Sequence, residues 1–407
     1  MAGVQIGSMA NFPQGFANGL SVRGMPLVQM QPGQVFFVGN GPVLCNPQQK
    51  AASNGNRGTF LDPLSTINYA VNTACQAGRG DIVFVLPGHR EAISNATTLT
   101  FNNSHVAVVG LGAGSFMPTL TFDTATTANV PVRAAGCSIQ NVRHLNNFAD
   151  IASNYTGIGA STTASIATSG LPAGMSGGYM DVTVLGSGTV YVGASVMGTG
   201  VADGTTIISQ VSGTTGGVGT YQVSISQTVA SGTLTMGNKD FAIENCEFRD
   251  LSAVLNSLTV FTSSATANGA DGFRFVGNRV DSAGTTAATT AIVIGAATDR
   301  MVITDNFTVH AILNDTAALL DGGANNMTNL QLARNVGFRP NTSSTGGSFV
   351  GSSSTACTGV AHDNRFWQLD ASAGIWIATG TKLGFFENYS PITGAADKSG
   401  LINPVAV

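Results

Sequence analysis

The sequence predicts an all-β solenoid: a right-handed parallel β-helix with an N-terminal arm, a capping helix and an inserted small antiparallel β module. Three observations carry the prediction. Only 9% of the 407 residues are charged, against about 25% in an ordinary soluble domain, and Gly, Ser, Thr, Asn and Ala take their place. Strand-like segments ending in Asn recur through the C-terminal part at intervals of 33, 28, 29, 29 and 24 residues. Ahead of them lies a stretch, residues 151–238, whose only charged side chains are Asp181 and Asp203. Hydrophobic residues make up 43%, too many for a disordered chain, and coiled coils need far more Glu, Lys, Leu and Arg. A net charge of −4 leaves no electrostatic footprint for nucleic acid or anionic lipid.

Taken in order, residues 1–50 read as an arm. Asn11, Pro13, Gly15 and Asn18 interrupt any apolar run and no basic start precedes them, so a secretory signal is not expected. No apolar stretch approaches the roughly 20 residues of a spanning helix. Residues 51–150 hold a helix and the first coils. Asp62-Pro63 marks a turn, and Thr66 is placed to cap a helix carrying Ile67, Ala70, Val71 and Ala74 at helical spacing. Gly78 and Gly80 end that helix, and Asp81 opens an apolar strand over 82–86 that Pro87-Gly88 stops. Strands near 106–109, 120–122 and 138–142 follow.

This order resembles the opening segment of pectate-lyase-like parallel β-helix proteins, carried here by Gly58-Thr59, Pro63, Thr66-Ile67, Gly80-Asp81 and Pro87-Gly88. The resemblance implies that the helix caps the open end of the solenoid, where backbone edges would otherwise stand unpaired.

Residues 151–238 alternate Val, Thr, Gly and Ser, as in VTVLGSGTVYVGASV. That pattern predicts an antiparallel module beginning near Met175 and ending near Met236. The 104 residues from Asn141 to Asn245 are too many for one coil and agree with an insertion.

Residues 239–407 carry the repeat: Asn245, Asn278, Asn306, Asn335, Asn364 and Asn388. The residue three before each is apolar (Ala242, Phe275, Ile303, Leu332, Ala361, Phe385). A column that stays apolar while the spacing holds near 28 is what stacked coils require, since one coil cannot bury its face alone. Asn ends a strand well because it tolerates a left-handed turn, and stacked amides can hydrogen-bond along the ladder. Just before each Asn stand Glu244, Gly277, Asp305, Arg334, Asp363 and Glu387, which would set Arg334 between two carboxylates.

Candidate chemistry is sparse. Glycoside cleavage needs two carboxylates roughly 5 to 9.5 Å apart, yet the chain has four glutamates, Glu91, Glu244, Glu247 and Glu387, and no evident groove cluster. His89, His105, His144, His310 and His362 are scattered. Five separated cysteines without a C-x-x-C pair argue for free thiols rather than zinc or a disulfide framework. GLGAG at 110–114 lacks the Lys-Ser/Thr of a phosphate loop. Phe366, Trp367 and Trp376 could stack sugars, but packing explains them as well. No enzyme activity, metal or cofactor is expected.

The opening segment, NFPQGFANGLSVRGMPLVQMQPGQVFFVGNG, resembles that of bacteriophage virion proteins with a β-helix body, through Phe12-Pro13-Gln14-Gly15-Phe16, Arg23-Gly24-Met25-Pro26 and the strand at 35–38. The resemblance implies location in the virion as a capsid decoration protein. Phe12, Phe16, Arg23, Met25 and Pro26 would dock on the major capsid protein or another virion protein, and the subunit would be a homo-oligomer, by analogy a trimer. The alternative is a tail spike or fibre that binds, or cleaves, host surface polysaccharide.

Overall fold

The computed structural model describes residues 20–22, 25–28, 33–40, 48–148, 151, 153–251, 258–264, 269–282, 290–310, 319–339, 349–368, 375–377 and 382–388. Three parallel sheets form the walls of the solenoid. The first holds ten strands: Val35–Val38, Ile82–Val85, Ala107–Gly110, Ser138–Gln140, Ala242–Glu244, Arg274–Val276, Val302–Thr304, Leu330–Ala333, Thr358–His362 and Lys382–Phe386. The second holds eight: Arg90–Ala92, Thr119–Phe122, Arg143–Asn146, Glu247–Asp250, Arg279–Ser282, Phe307–His310, Val336–Arg339 and Arg365–Gln368. The third holds seven: Val130–Val132, Tyr155–Gly157, Phe261–Ser263, Ile292–Val293, Leu320–Asp321, Val350–Ser352 and Ile375–Ile377. The chain visits the three sheets in turn, each winding pairing in parallel with the one before it. Parallel crossovers wind right-handed because a right-twisted strand packs back onto its sheet only that way. The body is a right-handed parallel β-helix.

Strand alternation decides what lies inside. In the second sheet Leu120, His144, Phe248, Val280, Thr308, Gly337 and Phe366 share one buried register column. The core stacks rings from winding to winding: Phe261 on Phe273 at 4.1 Å, His144 on Phe248 at 4.2 Å and Phe349 on Phe366 at 4.7 Å. Offset stacks of this kind contribute about 0.5–1.5 kcal/mol each beyond area burial. Four buried cysteines, Cys75, Cys137, Cys246 and Cys357, are free thiols.

The asparagine column is a continuous hydrogen-bonded stack with one correction. From Asn278 to Asn364, each Asn donates its amide to the next Oδ1 (3.2, 2.9, 2.9 and 2.8 Å) and its backbone N–H to the same oxygen (2.9, 3.1, 3.1 and 3.2 Å). Asn388 closes the run by donating to Ala361 O at 2.8 Å. Asn245 is not part of it. Ile243, not Ala242, pairs with Phe275, so the stack begins at Cys246, whose N–H donates to Asn278 Oδ1 at 2.9 Å. Asn245 instead belongs to the column just before, with Asn141, Gly277, Asp305, Arg334, Asp363 and Glu387, all at φ between 51° and 68°. The charge alternation holds for Arg334, which forms a bidentate pair with Asp305 at 2.6 and 2.7 Å, but Glu244 is one residue out of that column.

A second left-handed column starts the same strands: Gly80, His105, Gly136, Asp240, Gly272, Arg300 and Asn329, at φ 52° to 77°. The register puts these residues opposite one another in successive windings. Asp240 to Asn245, Gly272 to Gly277, Arg300 to Asp305 and Asn329 to Arg334 each span five residues. Both edges of the first sheet are thus turned by residues in a conformation that costs about 1 kcal/mol or more for anything but Gly, Asn or Asp.

At the N-terminal end the helix forms where expected. Thr66 Oγ accepts from Tyr69 N–H at 3.3 Å, and Ile67–Tyr69 continues into a π-helical turn, Ala70–Ala74. Ile67, Ala70 and Val71 are fully buried against the core beside Val38 and Leu64. The strand Val35–Val38 pairs with Ile82–Val85, so the arm stops short of residue 50.

The inserted module is a six-stranded antiparallel sheet, running from Ala160–Ala167 and Gly178–Gly188 through Ser195–Met197, Ile207–Gly213 and Gly219–Val223 to Val229–Gly237. It has its own core, with Met180, Val182, Tyr221, Val223, Leu234 and Met236 buried. It begins at Ala160 rather than near Met175, and Tyr155–Gly157 still belongs to a winding of the solenoid.

Candidate functional site

Of the expected docking residues, Phe12, Phe16 and Arg23 lie outside the described residues. Met25 and Pro26 lie in the strand Met25–Val28, paired antiparallel with Leu20–Val22. The asparagine stack is structural: Asn278, Asn306, Asn335, Asn364 and Asn388 are buried with their amides spent on one another.

The carboxylates are mostly committed to the fold. Glu91 Oε2 accepts from Ile67 N–H at 3.0 Å and from His89 Nε2 at 3.2 Å, while His89 Nδ1 accepts from Asn40 N–H at 3.1 Å. These contacts tie the helix start to the Pro87-Gly88 turn. Asp81, fully buried, accepts from Gln34 N–H, Gln76 N–H and, bidentately, Arg79 Nε and Nη2. Glu244 pairs with Arg274, and Glu387 sits exposed in the left-handed column. His144 is sealed in the core with Nε2 2.6 Å from Tyr155 Oη, and burial pushes its pKa down to about 3. Asp271 is the outlier: burial raises its carboxyl to about 6, although Asp299 N–H donates to it at 2.8 Å. Burial pushes Asp299 up as well, but hydrogen bonds from Thr328 and Asn329 and the Arg300 charge outweigh it, and its pKa is lowered. Among the described residues no three or more His, Cys, Asp or Glu side chains gather as metal ligands.

Of the proposed sugar-stacking aromatics, Phe366 is core, stacked on Phe349, and the side chains of Trp367 and Trp376 lie outside the described residues. Among the described residues, three phenylalanines face solvent: Phe116, 55% exposed in the short turn Gly114–Phe116, and the strand residues Phe307 and Phe338, 40% and 41% exposed. The last two are neighbours. Phe307 and Phe338 both project from the outer face of the second sheet. One outward column there runs Arg90, Thr119, Arg143, Glu247, Arg279, Phe307, Val336 and Arg365. The other carries Leu145, Arg249, Asp281, Val309 and Phe338. Glu247 takes Arg143 at 2.7 Å and Arg249 at 2.5 Å. Burial raises the Glu247 carboxyl, but the two guanidiniums overcome this and hold it below its usual range. Arg279 pairs with Asp281 at 3.3 Å and lies 5.6 Å from the Phe307 ring centre. Sequence reasoning missed this face; the alternation Phe307-Thr308-Val309 and Val336-Gly337-Phe338, once in register, was the signal for it.

No family model matches the chain, and no curated protein matches it. Three solved chains do. One is the native crystal structure of a GH136 lacto-N-biosidase from Eubacterium ramulus, 9% identical, covering 86% of this chain and 68% of its own, at a TM-score of 0.31. A likeness that low carries no argument about this protein.

Proposed function

We propose that the protein is a structural component of a bacteriophage virion, a capsid decoration subunit whose β-helical body is held to the particle by its N-terminal segment. The observation that carries the reading is the buried amide stack inside a charge-poor rod. Its cohesion comes from hydrogen bonds and apolar burial that salt does not screen, which suits a protein built to endure outside a cell. The likeness of residues 11–41 to virion proteins supports the same role, with the major capsid protein or another virion protein as partner and a trimer as the assembly. A second reading, a tail spike or fibre that binds host polysaccharide, is favoured by exposed Phe307 and Phe338. Cleavage has less support, because Glu91 is buried in a helix-capping contact and Glu247 is clamped by two arginines.

The test is deletion of residues 1–32, which spares the strand Val35–Val38. Particles assembled with the truncated chain should lack it, while its circular dichroism and melting stay those of the full chain. Incorporation at the full-length level refutes the docking role.

A further inference from the structure

The outer face of the first sheet changes character along the solenoid. Ile82 and Phe84 pair in register with Ala107 and Val109, and these with Ser138 and Gln140. Ile82, Phe84, Ala107 and Val109 form an apolar cluster of their own, apart from the core, and are only 1–6% exposed. Strand alternation turns these four away from the core, so their burial requires a segment lying over them. The apolar residues packed with them among the described ones, Val35, Phe37 and Leu111, flank them on the same surface. Phe60 meets that surface at the Phe37 ring, 5.8 Å between ring centres.

We propose that this patch is the seat of the N-terminal ribbon formed by Leu20–Val22 and Met25–Val28, which stores the arm against the shaft until it docks. The register pairs Leu20 with Val28 and Val22 with Met25, with a one-residue shift between them. These four apolar positions therefore share one face of the ribbon. A two-stranded ribbon is marginal by itself in water and needs a surface to pack on. The chain enters the shaft beside the patch. Gln34 N–H donates to Asp81 Oδ1 at 2.7 Å, and a Cβ on Gly33 would stand 2.1 Å from Gly80 O. From Val28 to Gly33 the chain spans at most about 18 Å, while three windings cover about 10 Å, so the ribbon reaches the whole patch and little beyond it. The seating stands on these two surfaces alone; the storage rests on the virion reading. Met25, one of the expected docking residues, is unavailable to a partner while the arm is seated, and docking then begins with release.

Trypsin reads the seat directly, because Arg23, between the two strands of the ribbon, is the only Lys or Arg before Lys50. In the free full-length subunit, cleavage after Arg23 should be at least about tenfold slower than in a peptide of residues 11–32. Val109→Gln installs the side chain that Gln140 already carries in the next winding, and should speed the cleavage about tenfold. Val276→Gln, three windings further along the same column, should leave it unchanged, and melting curves check that both shafts are folded. A benzophenone amino acid substituted for Met25 should cross-link on irradiation to peptides within residues 82–111 of the same chain. Arg23 cut as fast as in the peptide, equal effects of the two valine variants, or cross-links that all fall elsewhere would each overturn the seat. Cross-links joining two chains on a denaturing gel would assign the patch to the arm of a second copy and overturn it too. Storage predicts that Val109→Gln enters particles faster than the unaltered chain, and an equal rate rejects it. If chains lacking residues 1–32 still enter particles, docking and storage fall together, while the trypsin and cross-linking results still decide the seat.

Discussion

Asn335 and its neighbour Arg334 give the sharpest test of what holds the solenoid together. Asn335 is fully buried and uses its whole hydrogen-bonding capacity. Nδ2 donates to Ile303 O at 2.8 Å and to Asn364 Oδ1 at 2.9 Å; Oδ1 accepts from Asn306 N–H at 3.1 Å and Asn306 Nδ2 at 2.9 Å. Asn335→Ala leaves the Asn306 backbone N–H without a partner and its amide half-satisfied, in a site that water cannot reach. An orphaned buried donor costs about 1–3 kcal/mol, and the half-satisfied amide and vacated volume add to that, for a total of about 3–4 kcal/mol. Arg334→Ala removes only a half-exposed pair with Asp305, worth about 0–1 kcal/mol. Urea titration followed by circular dichroism measures both, with the m-value checking that the same surface unfolds. Hydrogen exchange at Asn306 N–H reads the lost bond directly. An Asn335→Ala loss under about 1 kcal/mol at unchanged m, or an equal loss from Arg334→Ala, would refute the claim that the amide stack and not the charge column stabilises the coils.

Two further predictions follow from single positions. At Gly337 a Cβ would stand 2.3 Å from the Phe349 ring and 2.8 Å from Phe366, so Gly337→Ala should wedge that stacked pair and cost about 1–3 kcal/mol in thermal melts; an unchanged melting temperature contradicts the packing described. Asp271 has a folded pKa of about 6 against 3.8 for the free group. A raised carboxyl binds its proton more tightly in the folded state, so its contribution is favourable below about pH 4, declines as pH rises toward 6 and is flat above. Asp271→Asn keeps the acceptor for Asp299 N–H and should stabilise the protein at pH 7.5 by about 1–2 kcal/mol, after solvent screening, with no gain at pH 3.5. A pH-independent difference between the two proteins would rule this out.

The architecture was legible because its causes are local and periodic: apolar columns, turn residues and a capped helix at the start. The register error at Asn245 has a physical origin. Two adjacent columns favour asparagine for different reasons, one because the backbone is left-handed, the other because the amide stacks. In the winding of Ala242–Glu244 the first column holds Asn245 while the second holds Cys246, and aligning by letter slides the segment by one. Ala242 and Ile243 are both apolar and buried, so the apolar column three residues before the asparagine is satisfied in either register. The second left-handed column was hidden because His105, Asp240 and Arg300 do not announce positive φ; its constant five-residue offset from the first was the available clue. The outer face escaped notice because its aromatics and arginines are far apart in sequence and meet only when windings stack.

Arg143 pairs in register with Glu247, 104 residues later, as though nothing intervened. The module departs after Gly157 and returns at Asn238, and these two positions lie against each other: a Cβ on Gly157 would stand 2.8 Å from the Asn238 amide. Both ends of the excursion therefore share one corner of the prism, and the pitch of the rod is indifferent to what hangs there. Such a corner works as a port with a small seal: the shaft keeps its register whatever is appended, but shedding the module would orphan the buried Ala135 N–H, which donates to Gly193 O at 3.0 Å, and strip Tyr191 from Arg133.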